Sequence, residues 1–281
     1  MKKIVIITNV NKDKDLKVTE AVVARLIDLG CEVFIHSDIA YRRESLYVYD
    51  VFPDGAELII VVGGDGSVID ASSVAIEKNI PILGINLGKV GYLAEIELDN
   101  IALLDNLVSG KYSIVNKMLL SLEFEGSEKQ CLRCAVNDVV ISRDTGLSIA
   151  SIKVQDSIGN AVKLRADGII LSTPQGSTAY SFSCGGPIVA HNVESILLTP
   201  LSPHSLFNRS VIFNSHDAIS ATNIGDGNLV INIDGRRVGS LLPGESCMVR
   251  KSEKNIKVLT FTENSMFSSL FRKMRILGDI D

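Results

Sequence analysis

The sequence has no excess of positive charge. Its 281 residues carry 28 Lys and Arg against 33 Asp and Glu, a formal net charge of −5. There is no overall basic field to draw in nucleic acid, although local backbone groups can still hold a small anion. The opening does not have the pattern expected of a leader: MKKIVIITNV has only a short apolar run, followed by Asn11, Lys12, Asp13 and Lys14, without a small-residue cleavage site or a bilayer-length helix. These absences make a soluble, cytoplasmic protein the expectation, with neither nucleic acid nor membrane as partner. Cysteine gives no disulfide framework, because the five residues Cys31, Cys131, Cys134, Cys184 and Cys247 are odd in number and scattered. The lone CLRC pair has no second pair or histidine spacing to complete four ligands, so buried strand thiols are expected there instead of zinc. No GxSxG elbow is present either, which removes the usual signal of a serine hydrolase.

What the chain does have is 46% hydrophobic residues, enough for a substantial core and, at this length, for two modest domains. KKIVIIT, CEVFI, AELIIVV and IPILGIN read as buried strands. Leu16–Leu29 and SVIDASSVAIEK carry helical spacing between them. Near-continuous apolar strands alternating with helices argue for a parallel sheet covered by helices, with ligands at the strand C-terminal ends. From about Met118 the texture changes to short strand candidates (LLSLEFE, NDVVIS, SIKVQ, GIILST, SVIFN, LVINI) separated by Gly, Asn, Asp and Ser turns. The expected architecture is an α/β N-terminal domain with a parallel sheet, residues 1–115, and a β-rich C-terminal domain, residues 116–261. The amphipathic FSSLFRKMRIL segment within 262–281 is expected to pack back on the first domain as a terminal helix.

The stretch AELIIVVGGDGSVIDASS joins an apolar strand to a helix through glycines. Gly63, Gly64 and Gly66 leave the backbone open, so a phosphate can approach the loop amides, the Ser67 hydroxyl and the helix N-terminus. Asp65 repels phosphate unless a metal ion intervenes or its carboxylate faces a hydroxyl and takes that proton as a general base. A helix-start carboxylate acting only as a cap is the alternative. Neither the Walker pattern nor a complete GxGxxG is present.

Further motifs follow in order: INLGKVGYLAE, AVNDVVIS, LRADGIILSTPQGSTAYSFSCGGPI, LSPHSLFNRS and INIDGRR. With GGDGS they resemble the NAD kinase family over roughly Ile59 to Arg237. That resemblance implies a Rossmann-like, phosphofructokinase-like first domain. It also implies transfer of the terminal phosphate of ATP, or in some members polyphosphate, to the adenosine 2′-hydroxyl of NAD with a divalent metal, magnesium above all. No protein ligand of that metal is assigned. Carried across, Asp65 is the proton acceptor with Gly66 beside it, and Gly63, Gly64 and Ser67 form the phosphate loop. Asn137 and Asp138 hold the adenosine portion, where an amide offers both donor and acceptor and a carboxylate accepts from hydroxyls. Arg165 and Asp167 match the Arg-x-Asp-Gly segment. Thr178, Ala179, Tyr180, Ser181, Phe182 and Ser183 match the dinucleotide-contacting run, whose bland reading is a helix start capped by Ser177 or Thr178. Ser202, Asp234 and Arg236 approach the nucleotide, some across a subunit boundary, and Asp234-Gly235 also reads as a hairpin turn. His204 and Asn208-Arg209 fall in a supporting segment. A homodimer or homotetramer is implied.

The chain departs from the family pattern at Gln175, Ala94 and Ser148, and at Ser67 where Thr is commoner. A lipid or sphingoid kinase sharing GGDG and a non-catalytic nucleotide sensor are the competing readings. The polar NDVV and GSTAYS blocks favour a dinucleotide over a lipid, and the retained Asp65 favours turnover over sensing.

Overall fold

Apolar segments too short to make stable helices and rich in Ile and Val become strands, and the glycine, asparagine and aspartate between them become the turns. In a computed structural model of the chain, residues 2–88, 94–124, 134–144, 148–204 and 208–261 are described, apart from the side chains of Ala94, Glu95 and Leu98. Cys131 and the expected terminal helix of 262–281 lie outside the described residues. Two units are distinguished: Met1–Asn116 with Ile256–Asp281, and Lys117–Asn255.

In the first unit the order is β1 (Lys3–Thr8), α1 (Lys17–Asp28), β2 (Glu32–His36), β3 (Leu46–Tyr49), β4 (Leu58–Gly63), α2 (Asp65–Lys78), β5 (Ile82–Asn86), β6 (Ala94–Glu97) and α3 (Asp105–Ser109). The strands lie β3-β2-β1-β4-β5, all parallel, with β6 parallel to β5. Every residue of β4 and β5 is buried, as central strands covered on both faces require. The first helix starts where Asp13 accepts the Thr19 amide at 2.8 Å and the Val18 amide at 3.3 Å, filling two of the orphan donors of its first turn. It lays Val22, Val23 and Leu26 on Ile4, Ile6 and Val33. Each such side chain contributes about 1.5–3 kcal/mol when fully buried.

The second unit contains β7 (Ser113–Phe124, entering from the first), β8 (Cys134–Ala135), β9 (Asp138–Arg143), β10 (Ala150–Gln155), β11 (Ala161–Ala166), β12 (Gly168–Ser172), α4 (Tyr180–Ser183), β13 (Ser195–Leu201), β14 (Val211–Asn214), β15 (Ala218–Asn223), β16 (Leu229–Ile233), β17 (Arg236–Leu241) and β18 (Ser246–Thr260). One antiparallel sheet runs β14-β13-β12-β9-β16-β17. The other contains β11-β10-β15-β18 with β7 and β8 attached. The two share one core, in which Val139, Ile141, Ile169 and Leu171 meet Ile152, Leu164, Ile219 and Val249. Strands β10 and β15 alternate buried and half-exposed residues, the signature of a sheet with one wet face. The end of β18 belongs to the first unit, where Val258 pairs in parallel with Ile82. This junction precedes the 261/262 boundary expected from sequence, because the strand passes through it without a turn residue to mark it.

Candidate functional site

In the first unit, strand β4 ends at Gly63 and helix α2 begins at Asp65. The turn between them is built so tightly that side chains have no room. A Cβ on Gly63 would lie 2.4 Å from Ser67 Oγ, and one on Gly64 would lie 2.5 Å from Lys12 Nζ. Gly66 is different: nothing stands within 4 Å of its Cβ position, so the backbone there faces open space. Ser67 is 8% exposed, and its Oγ accepts from Asn9 Nδ2 at 2.8 Å and from the Gly64 amide at 3.4 Å. Its oxygen thus binds the turn to the loop after β1. On the other side, the Leu87 amide donates to the Gly63 carbonyl at 2.7 Å, and the Gly88 amide to Asn86 Oδ1 at 3.0 Å. Asp65, half-buried, opens the helix, where backbone amides favour negative charge.

In the second unit the loop Val136–Asp138 is clamped from two directions. Thr173 Oγ1 donates to the Val136 carbonyl at 2.7 Å and accepts the Gly176 amide at 2.9 Å. Gly176 itself presses so close that a Cβ would lie 2.1 Å from the Asn137 carbonyl oxygen, which leaves glycine as the residue that fits. From the other direction comes Asp234, at the tip of the β16–β17 hairpin. Its φ of 48°, followed by Gly235 at 81°, is the two-residue primed turn that Asp-Gly pairs favour. The Asp234 carboxylate accepts three amides, from Val136 at 2.8 Å, Asn137 at 2.7 Å and Asp138 at 3.1 Å. The hairpin reading of Asp234-Gly235 holds here, and the aspartate also shapes the loop carrying the Asn-Asp pair.

The clamp turns Asn137 and Asp138 toward a cavity of about 480 Å³ lined also by Ala179, Tyr180, Asn232 and Asp234. Among the described residues, neither the Asn137 side-chain amide nor the Asp138 carboxyl has a hydrogen-bond partner, although Asp138 is only 5% exposed. Burial first, and then the charge of Asp234, push the Asp138 carboxyl up to about 7. Asp234 is raised as well by burial, against the opposing pull of its three amide donors. A nearly buried carboxyl beside a half-buried amide, both facing a cavity, marks a place for a ligand's own donors and acceptors.

Tyr180 borders a second cavity of about 820 Å³, which is lined by Arg143, Asp167, Ser183, Ser202 and Arg209 among others. Asp167 pairs there with Arg143 at 2.9 Å. Arg165, on β11, lines a third cavity, of about 680 Å³, with Ser148, Ser151, Asn223 and Asp226. Arg236 is exposed on β17. Within 178–183, Tyr180 and Phe182 are half-exposed, whereas Ser181 is fully buried and bonds Thr199 Oγ1 at 2.9 Å. Ser177 and Thr178 do not cap a helix. Their hydroxyls donate to the Pro174 and Gln175 carbonyls at 2.7 and 3.2 Å, closing a 3-10 turn ahead of the one-turn helix α4.

Gln175 has a structural explanation: it is 5% exposed, and its Oε1 accepts from Lys117 Nζ at 2.8 Å. Lys117 also reaches His191 Nδ1 at 3.3 Å, and burial together with that ammonium lowers the imidazole to about 4. Lys117, His191 and Arg143 were given no role from the sequence, because each meets partners distant along the chain only once it is folded. Among the described residues, no three His, Cys, Asp or Glu side chains converge as metal ligands, and no helix is long and apolar enough to cross a membrane.

Profiles of the ATP-NAD kinase N-terminal and C-terminal domains match residues 4–112 and 136–261. An NAD kinase of Natranaerobius thermophilus is 33% identical over 282 residues, spanning 98% of each chain. Yeast NADH kinase, solved in complex with NADH, is similar in structure with a TM-score of 0.86 at 21% identity, covering all of this chain and 88% of its own. An NAD kinase from Archaeoglobus fulgidus, solved in complex with ATP, has a TM-score of 0.75 at 22% identity and covers 98% of this chain and 99% of its own. At these identities the two structures speak for the fold, while the profiles and the full-length relative speak for the lineage. With the glycine turn and the clamped Asn-Asp loop in place within matched domains, the chain belongs to the NAD kinase family.

Proposed function

We propose that this chain phosphorylates NAD, moving the terminal phosphate of ATP to the adenosine 2′-hydroxyl and releasing NADP and ADP. The observation that carries the reading is the Asn137 amide and Asp138 carboxyl, held without partners among the described residues and toward a cavity that Tyr180 and Asp234 complete. An adenosine offers what they lack: ring nitrogens and an amino group for the amide, and sugar hydroxyls for the carboxyl.

In the transfer, the 2′-oxygen attacks the terminal phosphorus while the bond from that phosphorus to the bridging oxygen breaks, and the electron pair leaves with ADP. The hydroxyl proton passes to the Asp65 carboxylate. The open backbone at Gly66 leaves space for the phosphoryl group beside amide donors. Magnesium enters as part of the MgATP substrate, since the ion is commonly held by nucleotide phosphates and one or two carboxylates; it neutralises charge on those phosphates. Arg209, on the wall of the larger cavity, is placed to meet the pyrophosphate of the dinucleotide. NADH as alternative acceptor, polyphosphate as alternative donor, a cytoplasmic location and a homodimer or homotetramer belong to the same reading.

Purified protein supplied with MgATP and NAD should form NADP, read through a dehydrogenase that accepts only NADP. Substituting NADH or polyphosphate sets the specificity, and light scattering gives the assembly. Asp65→Asn should lower kcat by about 10²- to 10⁴-fold while NAD still binds. Undiminished turnover in that variant refutes the proton-acceptor role, and tight NAD binding by the wild type without any NADP formation makes the protein a sensor.

A further inference from the structure

Lys12 stands outside every motif named above, yet its ammonium lies on the glycine turn. The loop after β1 folds on itself, with the amides of Lys12 and Asp13 both donating to the Asn9 carbonyl at 3.0 Å. Its two neighbours in this loop are anchored. Asp13 is buried and holds Thr19 Oγ1 at 2.7 Å at the start of α1, while Asn9 bonds Ser67 at the start of α2. Lys12 itself is exposed and extends across the turn, with Nζ 2.5 Å from the Cβ position of Gly64 and 3.8 Å from that of Gly88. Among the described residues, no carboxylate lies within 4.0 Å of that ammonium. Loops from the C-terminal ends of β1, β4 and β5 therefore bring together a cation, bare backbone and the first amides of α2.

Such a placement is not explained by stability. An ammonium beside the amino end of a helix adds positive charge where the helix is already positive, an unfavourable arrangement until an anion is shared between them. Gly64 is bare for a related reason, since a methyl group there would displace the ammonium. We propose that Lys12 is a ligand of the donor's terminal phosphoryl group, its ammonium contacting the non-bridging oxygens and following their charge as the group moves to the sugar hydroxyl. Lysine suits this task as a mobile point charge. The assignment rests on the kinase reading above, and it adds to Asp65 a second side chain at the turn with the opposite job: one takes the proton, the other holds the phosphate.

The test uses Lys12→Met, Lys12→Arg and Gly64→Ala in the full chain, with initial rates measured against ATP and against NAD separately. Lys12→Met should lower kcat/KM for ATP by about 100-fold and leave KM for NAD within about twofold, because the lost contact is to one substrate. Lys12→Arg should recover part of the loss, and Gly64→Ala should reproduce much of it. A second readout is independent of turnover: tripolyphosphate should raise the melting temperature of the wild type and have less effect on Lys12→Met. Unchanged kcat/KM for ATP in Lys12→Met overturns the proposal. So does an equal loss on both substrates accompanied by a lower melting temperature without ligand, which is the mark of a structural lysine. A wild type that makes no NADP but still loses its tripolyphosphate shift in Lys12→Met refutes the kinase reading and leaves the phosphate contact standing.

Discussion

Asp138→Asn separates what the cavity gains from what the fold loses. The carboxyl's rise from 3.8 to about 7 spans roughly three units, so keeping it ionised in the native state costs about 4 kcal/mol. The sign follows from linkage: the unfolded chain releases this proton near 3.8, whereas the native state holds it until about 7. Native protein thus binds more protons between those values, stability falls as pH rises through the window, and the whole penalty is present above 7. Asparagine keeps the shape and removes the charge. From pH 5 to pH 8.5 the stability advantage of Asp138→Asn over wild type should therefore grow by about 3 kcal/mol, two units at about 1.4 kcal/mol each. Urea denaturation of both proteins without ligand, at several pH values, measures it. The same variant should bind NAD more weakly, since an amide accepts from a sugar hydroxyl less well than a carboxylate. An advantage that stays constant with pH refutes the claim that this carboxyl is buried without a partner.

Asp234→Ala leaves three loop amides without their acceptor and should destabilise the protein by about 3 kcal/mol in the same denaturation assay, with Asp234→Asn milder because it accepts hydrogen bonds and tolerates the left-handed turn. Gly176→Ala sets a methyl 2.1 Å from the Asn137 carbonyl; a loss of about 1–3 kcal/mol and a higher KM for NAD are expected, both read on the purified variant. His191, held neutral down to about 4, titrates oppositely to Asp138. The unfolded chain takes up its proton below about 6.5 and the native state does not, so stability drops by up to about 3 kcal/mol as pH falls from 6.5 to 4, and His191→Gln should flatten that drop.

Much of the first unit was legible because its strands are apolar throughout and its helices follow at regular spacing. The turn from Gly63 to Ser67 could be placed to the residue, since a strand, three glycines and a helix leave few alternatives. The edge strand β3 was missed: LYVY is short, exposed on two of its four residues, and follows a charged stretch. In the second unit, β18 was missed for a different reason. The charged centre RKSEK of its SCMVRKSEKNIKVLT separates two short apolar stretches, which reads as a loop between them. Asn137, Asp138 and the 178–183 run were identifiable as a constellation of motifs. Their division of labour was not, because it depends on partners distant in sequence. Ser181 and Ser67 turn inward to hydroxyl and amide partners, Asp167 finds Arg143, and Arg165 leaves for another cavity. A hydroxyl in a motif carries no mark of which way it will face.

The Asp234 clamp has a consequence for synthesis. Its carboxylate reaches back 96 to 98 positions along the chain to the amides it holds. Until the ribosome has delivered the hairpin that bears it, the Asn137–Asp138 segment lacks one of its two clamps. The final shape of this loop is thereby a late event, a certificate of completed folding that no fragment ending before the hairpin can present.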